Sequence, residues 1–303
     1  MRHLVDPCHV LEQNRRYHDE VEAEDYDRRM GVAHDPVATR QMVAELERVL
    51  GRPLPDGSTV VDVGAGTGNV AVKLAMTGRF QRVIAADISE GMLAQARASA
   101  QVMGCSIETV QTDMVRLPFD DDTVDLLVGC AVLHHLPDPV AFMAEVRRVL
   151  KPGGSCIFIG EPSKWASRII EVIKLPLVGA NRIYKAVSGQ SGLRWEHDNI
   201  DVHTFSIRDL QRMTVGFDNV RLVPEGFLEA MLDQSLFTAV RFVLGRVPGV
   251  VPVLTAIRRA CRALDEALLN RVVPRDLRTG MKFSAVKPGS HGPGGGAATP
   301  IGR

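Results

Sequence analysis

The chain is 303 residues long, 45 % hydrophobic and 24 % charged, with 36 basic residues against 36 acidic ones. Those values suit a globular domain with extensions; they exclude the dense basic footprint of a nucleic-acid binder, and 5 % aromatic residues leave few rings to stack on bases. No apolar run approaches the roughly 18 residues of a membrane span, and the opening "MRHLVDPCHV" lacks the apolar stretch of a secretory signal, so a cytoplasmic protein is expected.

Residues 1–57 read as a helical cap with polar faces, broken at "GRPLPDG". From 58 to 161, short β-branched runs alternate with helical patterns, the signature of βαβ units on a parallel sheet. "STVVDV" is a strand, and a helix follows from about Gly68 to Thr77. "RVIAADI" is the second strand, and Ser89 caps the helix after it. "CSIETVQTD" and "TVDLLVGCAV" are the third and fourth strands. Asp138 and Pro139 open the helix "VAFMAEVRRVL", "KPGG" stops it, and "SCIFIGEP" is the fifth strand. Residues 162–203 are irregular. "SIRDLQRM" begins with a capping box, Ser206 to Asp209, and "FDNVRLV" and "MKFSAVK" are two late strands. Between these strands, in the segment 224–280, two helical stripes read Leu232–Leu236–Val240–Val243–Leu244–Val247 and Val253–Leu254–Ile257–Cys261–Leu264–Leu268. The glycine-rich tail, 289–303, has the composition of a disordered segment.

The segment "VVDVGAGTGNV" runs from strand to helix through Gly64, Gly66 and Gly68. That loop lies at the carboxyl edge of the sheet, where open α/β folds bind ligands. Glycine there permits positive φ and lets a ligand rest against bare backbone. A dinucleotide fingerprint would need glycine at position 69, which is Asn. Asp87 ends the second strand, placed to accept hydrogen bonds from a ribose diol. At the mouth of the third strand, Asp113 offers an acceptor to an adenine amino group and Met114 a surface for a ring. Asp62, at the end of the first strand, reads as a brace for the loop.

Taken together, "VVDVGAGTGNVAVKLA", "VIAADISEGMLAQAR" and "QTDMVRLPFDDDTVDLLVGCAVLHHLPDPVAFMAEVRRVLKPGGSCIFIGEP" resemble the class I S-adenosylmethionine-dependent methyltransferases, in the small-molecule branch that includes the ubiquinone and menaquinone C-methyltransferases. The resemblance covers 58–161 and, more loosely, 204–223 and 281–288. It implies a Rossmann-like α/β fold: a seven-stranded, mostly parallel sheet with its last strand antiparallel, helices on both faces, the helical cap, and a helical insertion before the last strand. The methyltransferase domain would run from 58 to 288, with the acceptor lid at 162–203. It implies S-adenosyl-L-methionine as cofactor, its amino-acid end on Gly64, Ala65, Gly66 and Gly68, its ribose on Asp87 and its adenine against Ile88, Asp113 and Met114. Cys130 would lie near the methionine moiety, and Tyr26 of "YD" would close over the cofactor.

The acceptor is expected to be a small, hydrophobic molecule, lipid- or quinone-like, methylated by in-line displacement. His134 and His135 follow the fourth strand on the ligand edge, and either is a candidate base; the alternative is a hydrogen-bonded histidine that shapes the pocket. If extended, the two point opposite ways. Glu161 is a second candidate for the base, or else a carboxylate that caps a turn. His197, His203, Trp195 and Tyr184 fall in the acceptor-lid segment. Five cysteines without a CxxC pair, and no H-x-x-x-H, disfavour a metal site. Residues 231–280 hold eight arginines against four acids, which leaves open a surface for anionic lipid or a helical pair packed on the domain or a second subunit. Two further readings of the whole are a cofactor-binding protein without transfer and a nicotinamide-dependent oxidoreductase, the latter disfavoured by Asn69.

Overall fold

A computed structural model describes residues 7–17, 19, 27, 32–169, 203–228, 232 and 250–289. In chain order the elements are α1 (Pro7–Tyr17), α2 (Pro36–Leu50), β1 (Thr59–Val63), α3 (Ala71–Met76), β2 (Arg82–Asp87), α4 (Glu90–Val102), β3 (Glu108–Gln111) and β4 (Val124–Cys130). They continue with α5 (Pro139–Val149), β5 (Leu150–Pro162), α6 (Ile207–Met213), β6 (Asp218–Leu222), α7 (Val250–Leu264), α8 (Asn270–Val272) and β7 (Gly280–Val286).

The seven strands form one sheet in the order β3-β2-β1-β4-β5-β7-β6. β1 to β5 are parallel, and β7 runs antiparallel to both β5 and β6. The expected seven-stranded, mostly parallel sheet is present. It shares β3-β2-β1-β4-β5 with the 3-2-1-4-5-6 order of dinucleotide-binding folds and departs from it where β7 lies between β5 and β6.

The inner strands are buried on both faces, so their sequences read as continuous apolar runs rather than alternating ones. On one face Val60, Leu126, Val128, Ile157 and Ile159 pack against Leu46, Val49 and Leu50 of α2 and Leu74 of α3. On the other, Val61, Leu127, Phe158 and Phe283 pack against Phe142, Met143 and Val146 of α5 and Leu210 of α6. Phe158 meets Phe142 edge-on at 6.3 Å and stacks on Phe283 at 5.2 Å. Each such side chain stabilises the fold by about 1.5–3 kcal/mol through burial.

Local signals act where the sequence places them. Asp138 accepts from the Val140 and Ala141 N–H groups ahead of Pro139, Ser89 accepts from Met92, and Ser206 and Asp209 form the capping box. Two expectations are corrected. "KPGG" ends α5, yet the chain does not leave the sheet: β5 already begins at Leu150, paired with Val124, and the register slips so that Ser155 faces Leu126. A Cβ on Gly154 would stand 2.8 Å from the Lys151 carbonyl oxygen, so that tight kink needs glycine. The second apolar stripe is likewise not one α-helix: α7 ends at Leu264 and a π turn, Asp265–Leu269, leads into α8. The buried Asp265 accepts from the Leu228 N–H at 2.9 Å, which fixes that turn. Positions 170–202, with Tyr184, Trp195 and His197, the stripe beyond residue 232 up to 247, and the tail from 290 lie outside the described residues.

Candidate active site

The carboxyl edge of β1, β2 and β4 opens on a cleft. Of the residues expected at the cofactor, Gly64, Gly66, Asp87, Ile88, Asp113, Met114 and Cys130 line it. Gly64 and Gly66 both hold positive φ, 63° and 53°. A Cβ on Gly64 would collide with Val132 at 2.3 Å, whereas one on Gly66 meets nothing within 4 Å. Gly64 is glycine for packing, and Gly66 presents open backbone to the cleft. Ala65 and Gly68 stand behind the loop: Ala65 donates to the Ala86 carbonyl, and a Cβ on Gly68 would meet Val72 at 2.7 Å. These two let the loop and α3 seat against the sheet and α4, and neither lines the cleft.

Asp87 is 6 % exposed. Its two oxygens accept from the Gly66 N–H at 2.8 Å and the Ser89 N–H at 2.9 Å, so it ties the glycine loop to the start of α4. Asp113 accepts from the Val115 N–H and remains exposed. Met114 is buried against the cleft at φ 61°, a conformation unusual for a side chain of its size. Asp62 lies beneath the loop: Oδ2 accepts from the Ala71 N–H at 2.9 Å, and Oδ1 is buried without a partner. Burial, and then the neighbouring Asp87 charge, push its carboxyl up to about 8. It braces the loop, as its position suggested.

The two histidines have separate surroundings. They lie in a 3-10 turn, Leu133–His135, not an extended strand, with ring centroids 4.0 Å apart. His134 is buried, and its Nδ1 meets Glu161 at 2.8 Å. Glu161 also accepts from the backbone N–H groups of Val132, Leu133 and His134. This carboxylate caps the turn that follows β4. His135 lines the cleft. The Cys130 thiol, at the end of β4, is pushed up to about 12 by burial and by the charges of Asp62 and Glu161, which leaves it a neutral spacer.

Sequence reasoning missed a contribution from α1. Leu11 and Asn14 line the cleft, and the buried Asn14 has its Oδ1 without a partner. No periodicity marks such a residue; only its polarity on the inward side of a helix could have drawn notice. Two carboxylates further along extend this hold on the sheet edge. Asp19 accepts from Ser89 and from the Gly91 N–H, and Asp27 accepts from Thr67. Tyr26 lies outside the described residues. Met92 of α4 is fully buried and also reaches the cleft.

A second cavity, of about 830 Å³, lies on the α2 side of the sheet edge and reaches Cys130 from there. Glu45, Arg48, Glu225 and Lys282 form one of its walls, each acid paired with both bases. Glu161, Arg262, Asp265, Glu266 and Asn270 also line it. His203, in the expected acceptor-lid segment, meets the Pro137 carbonyl through its ring and lines neither space. Among the described residues no group of three or more His, Cys, Asp or Glu is placed to hold a metal ion.

Residues 61–158 match the family described as a methyltransferase domain. The ubiquinone biosynthesis O-methyltransferase of Cereibacter sphaeroides is 32 % identical over 120 residues, 39 % of this chain and 48 % of that one. The demethylmenaquinone methyltransferase of Clavibacter sepedonicus is 39 % identical over 102 residues, 33 % of this chain and 40 % of that one. The chain thus spans less than half the length of these relatives. Among solved structures, the phosphoethanolamine N-methyltransferase 2 of Haemonchus contortus, in complex with phosphomonomethylethanolamine and S-adenosylhomocysteine, superposes with a TM-score of 0.58 at 17 % identity, over 94 % of this chain and 60 % of that one. At that identity the likeness concerns the fold. Residues 61–158 thus carry a methyltransferase domain, and they hold the ends of β1, β2 and β4 that form the glycine-lined cleft.

Proposed function

We propose that the chain binds S-adenosyl-L-methionine in the cleft and transfers its methyl group to a small quinone-like acceptor. The observation that carries this reading is the company kept by one stretch of bare backbone. Gly66 is open to the cleft, Asp87 stands at the end of the adjacent strand, and Asn14 brings a buried carbonyl oxygen that lacks a donor. A ligand with a ribose diol and an ammonium group fits such a set. Gly64 and Gly66 would hold its amino-acid end, Asp87 its ribose, and Ile88, Met92 and Met114 its ring faces. The bound cofactor supplies a methyl carbon activated by the sulfonium charge.

The rest falls to the protein. Asn14 and Asp87 position the donor, and positioning at near-attack distance lowers such barriers by several kcal/mol, up to about 7–11. Of the two histidines, His135 lines the cleft and His134 lines neither space, so His135 is the one placed to take a proton from an acceptor hydroxyl that reaches the donor methyl there. The second cavity, which shares Cys130 with the cleft, is the acceptor chamber: it would hold the body of the acceptor, with the reacting hydroxyl at the cleft. Its polar lining suits a ring that bears hydroxyl or carbonyl groups, and the names of the two quinone-biosynthesis relatives support the same class.

Calorimetry with S-adenosylmethionine and S-adenosylhomocysteine tests the first half: absence of heat with folded protein at high concentration overturns it. A panel of hydroxylated quinone precursors, assayed with labelled cofactor, tests the second. Cofactor binding without release of S-adenosylhomocysteine across that panel would favour a binding protein instead.

A further inference from the structure

α7 faces the wrong way for a helix of a globular core. Its polar side continues into the π turn, and Arg262, Asp265, Glu266 and Asn270 line the acceptor cavity. Among the described apolar side chains from Val253 to Leu268, Leu254 and Cys261 are buried, while Val253, Ile257, Leu264 and Leu268 are 41–57 % exposed. At about 100° per residue, positions 253, 257 and 264 fall within about 40° of one another, so they form one stripe. From Val253 to Leu264 it runs about 16 Å at the rise of an α-helix, and the exposed Leu268 follows in the π turn. Surface helices ordinarily turn such a stripe inward.

Charge indicates what covers it. α7 holds Arg258, Arg259 and Arg262 and no acid. Arg271, Arg275 and Arg278 follow, against Asp265, Glu266 and Asp276, of which Asp265 is buried. A two-fold dimer through this face would bring two arginine-rich helices together. We infer that the exposed face of α7 docks on an anionic lipid surface, its apolar side chains in the acyl boundary and the exposed Arg259 and Arg271 toward the headgroups. The helix that meets the lipid is then also a wall of the chamber beside Cys130. The inference does not depend on which cofactor fills the cleft.

Flotation of the full chain with vesicles of phosphatidylcholine, or of phosphatidylcholine and phosphatidylglycerol in equal parts, tests it. The bound fraction is expected to be at least about tenfold higher on the anionic vesicles and to fall with added salt. Val253→Glu with Ile257→Glu should lower it at least about tenfold, and Arg259→Gln or Arg271→Gln about fivefold each. All these variants should keep the wild-type melting temperature and the wild-type response to S-adenosylhomocysteine, whatever that response is. Equal binding to both vesicle types, or none, overturns the inference. So does a dimer in solution that the two glutamates dissociate.

Discussion

The Asn14 side chain donates from Nδ2 to the His135 carbonyl at 2.9 Å, across 121 positions of sequence. That bond fixes α1 over the cleft and holds the other face of the amide, Oδ1, buried and without a donor. A buried acceptor in that state costs about 1–3 kcal/mol until something donates to it. Asn14→Ala removes the acceptor and the tether together, so affinity for S-adenosylhomocysteine should fall about tenfold by calorimetry. Asn14→Leu, which keeps the bulk, should fall as far. Wild-type affinity in both variants would remove Asn14 from the site.

Asp87 has two duties. Replacing it with alanine orphans the Gly66 and Ser89 N–H groups, so the variant should lose about 2 kcal/mol of stability as well as cofactor affinity. Asp87→Asn keeps one carbonyl oxygen and the shape of the side chain. It is expected to melt closer to wild type while still binding cofactor several-fold more weakly. If Asp87→Ala melted like wild type, the carboxylate would not be the tie between the loop and α4.

Glu161 and His135 should separate in their effects. Glu161→Gln puts an amide NH2 among three backbone donors and His134, at a cost of about 3 kcal/mol, visible as a lower melting temperature. His135→Gln should leave the melting temperature in place and lower turnover about 10²-fold or more, with cofactor affinity little changed. A His135 variant that turns over normally would end its role as the base.

Asp62 makes stability depend on pH. In the unfolded chain this carboxyl ionises near pH 4, whereas in the fold burial keeps its proton up to about pH 8. Between those values the native state binds the extra proton. Stability therefore falls as pH rises, by on the order of 1 kcal/mol per unit, and levels off above the folded value. Asp62→Asn does not titrate. Its melting temperature should gain on wild type from pH 5 to pH 8; parallel curves would show that Asp62 is ionised in the fold.

Much of this architecture is local and therefore legible in the chain. Strand runs, the caps at Ser89, Asp138 and Ser206, and the positive-φ glycines are set by residues within a few positions of one another, and they stand where the sequence puts them. Gly64, Gly66, Asp87, Met114 and Cys130 were legible as one site because a parallel sheet brings the ends of its strands to a single edge. What each glycine is for was not legible: Gly64 and Gly68 are explained by Val132 and Val72, which only the fold places against them. The two histidines have adjacent codons' worth of identical chemistry, yet Glu161, 27 positions beyond His134, takes one and leaves the other on the cleft. Nor could the periodicity of α7 say which of its faces turns outward, since a stripe records that two faces differ and not what each will meet. The sequence by itself determined the strands, the turns and the ligand-binding edge, because short-range sterics and hydrogen bonds act within a few residues. The tertiary structure decided which side chains share a space, because contact and burial depend on parts of the chain that only folding brings together.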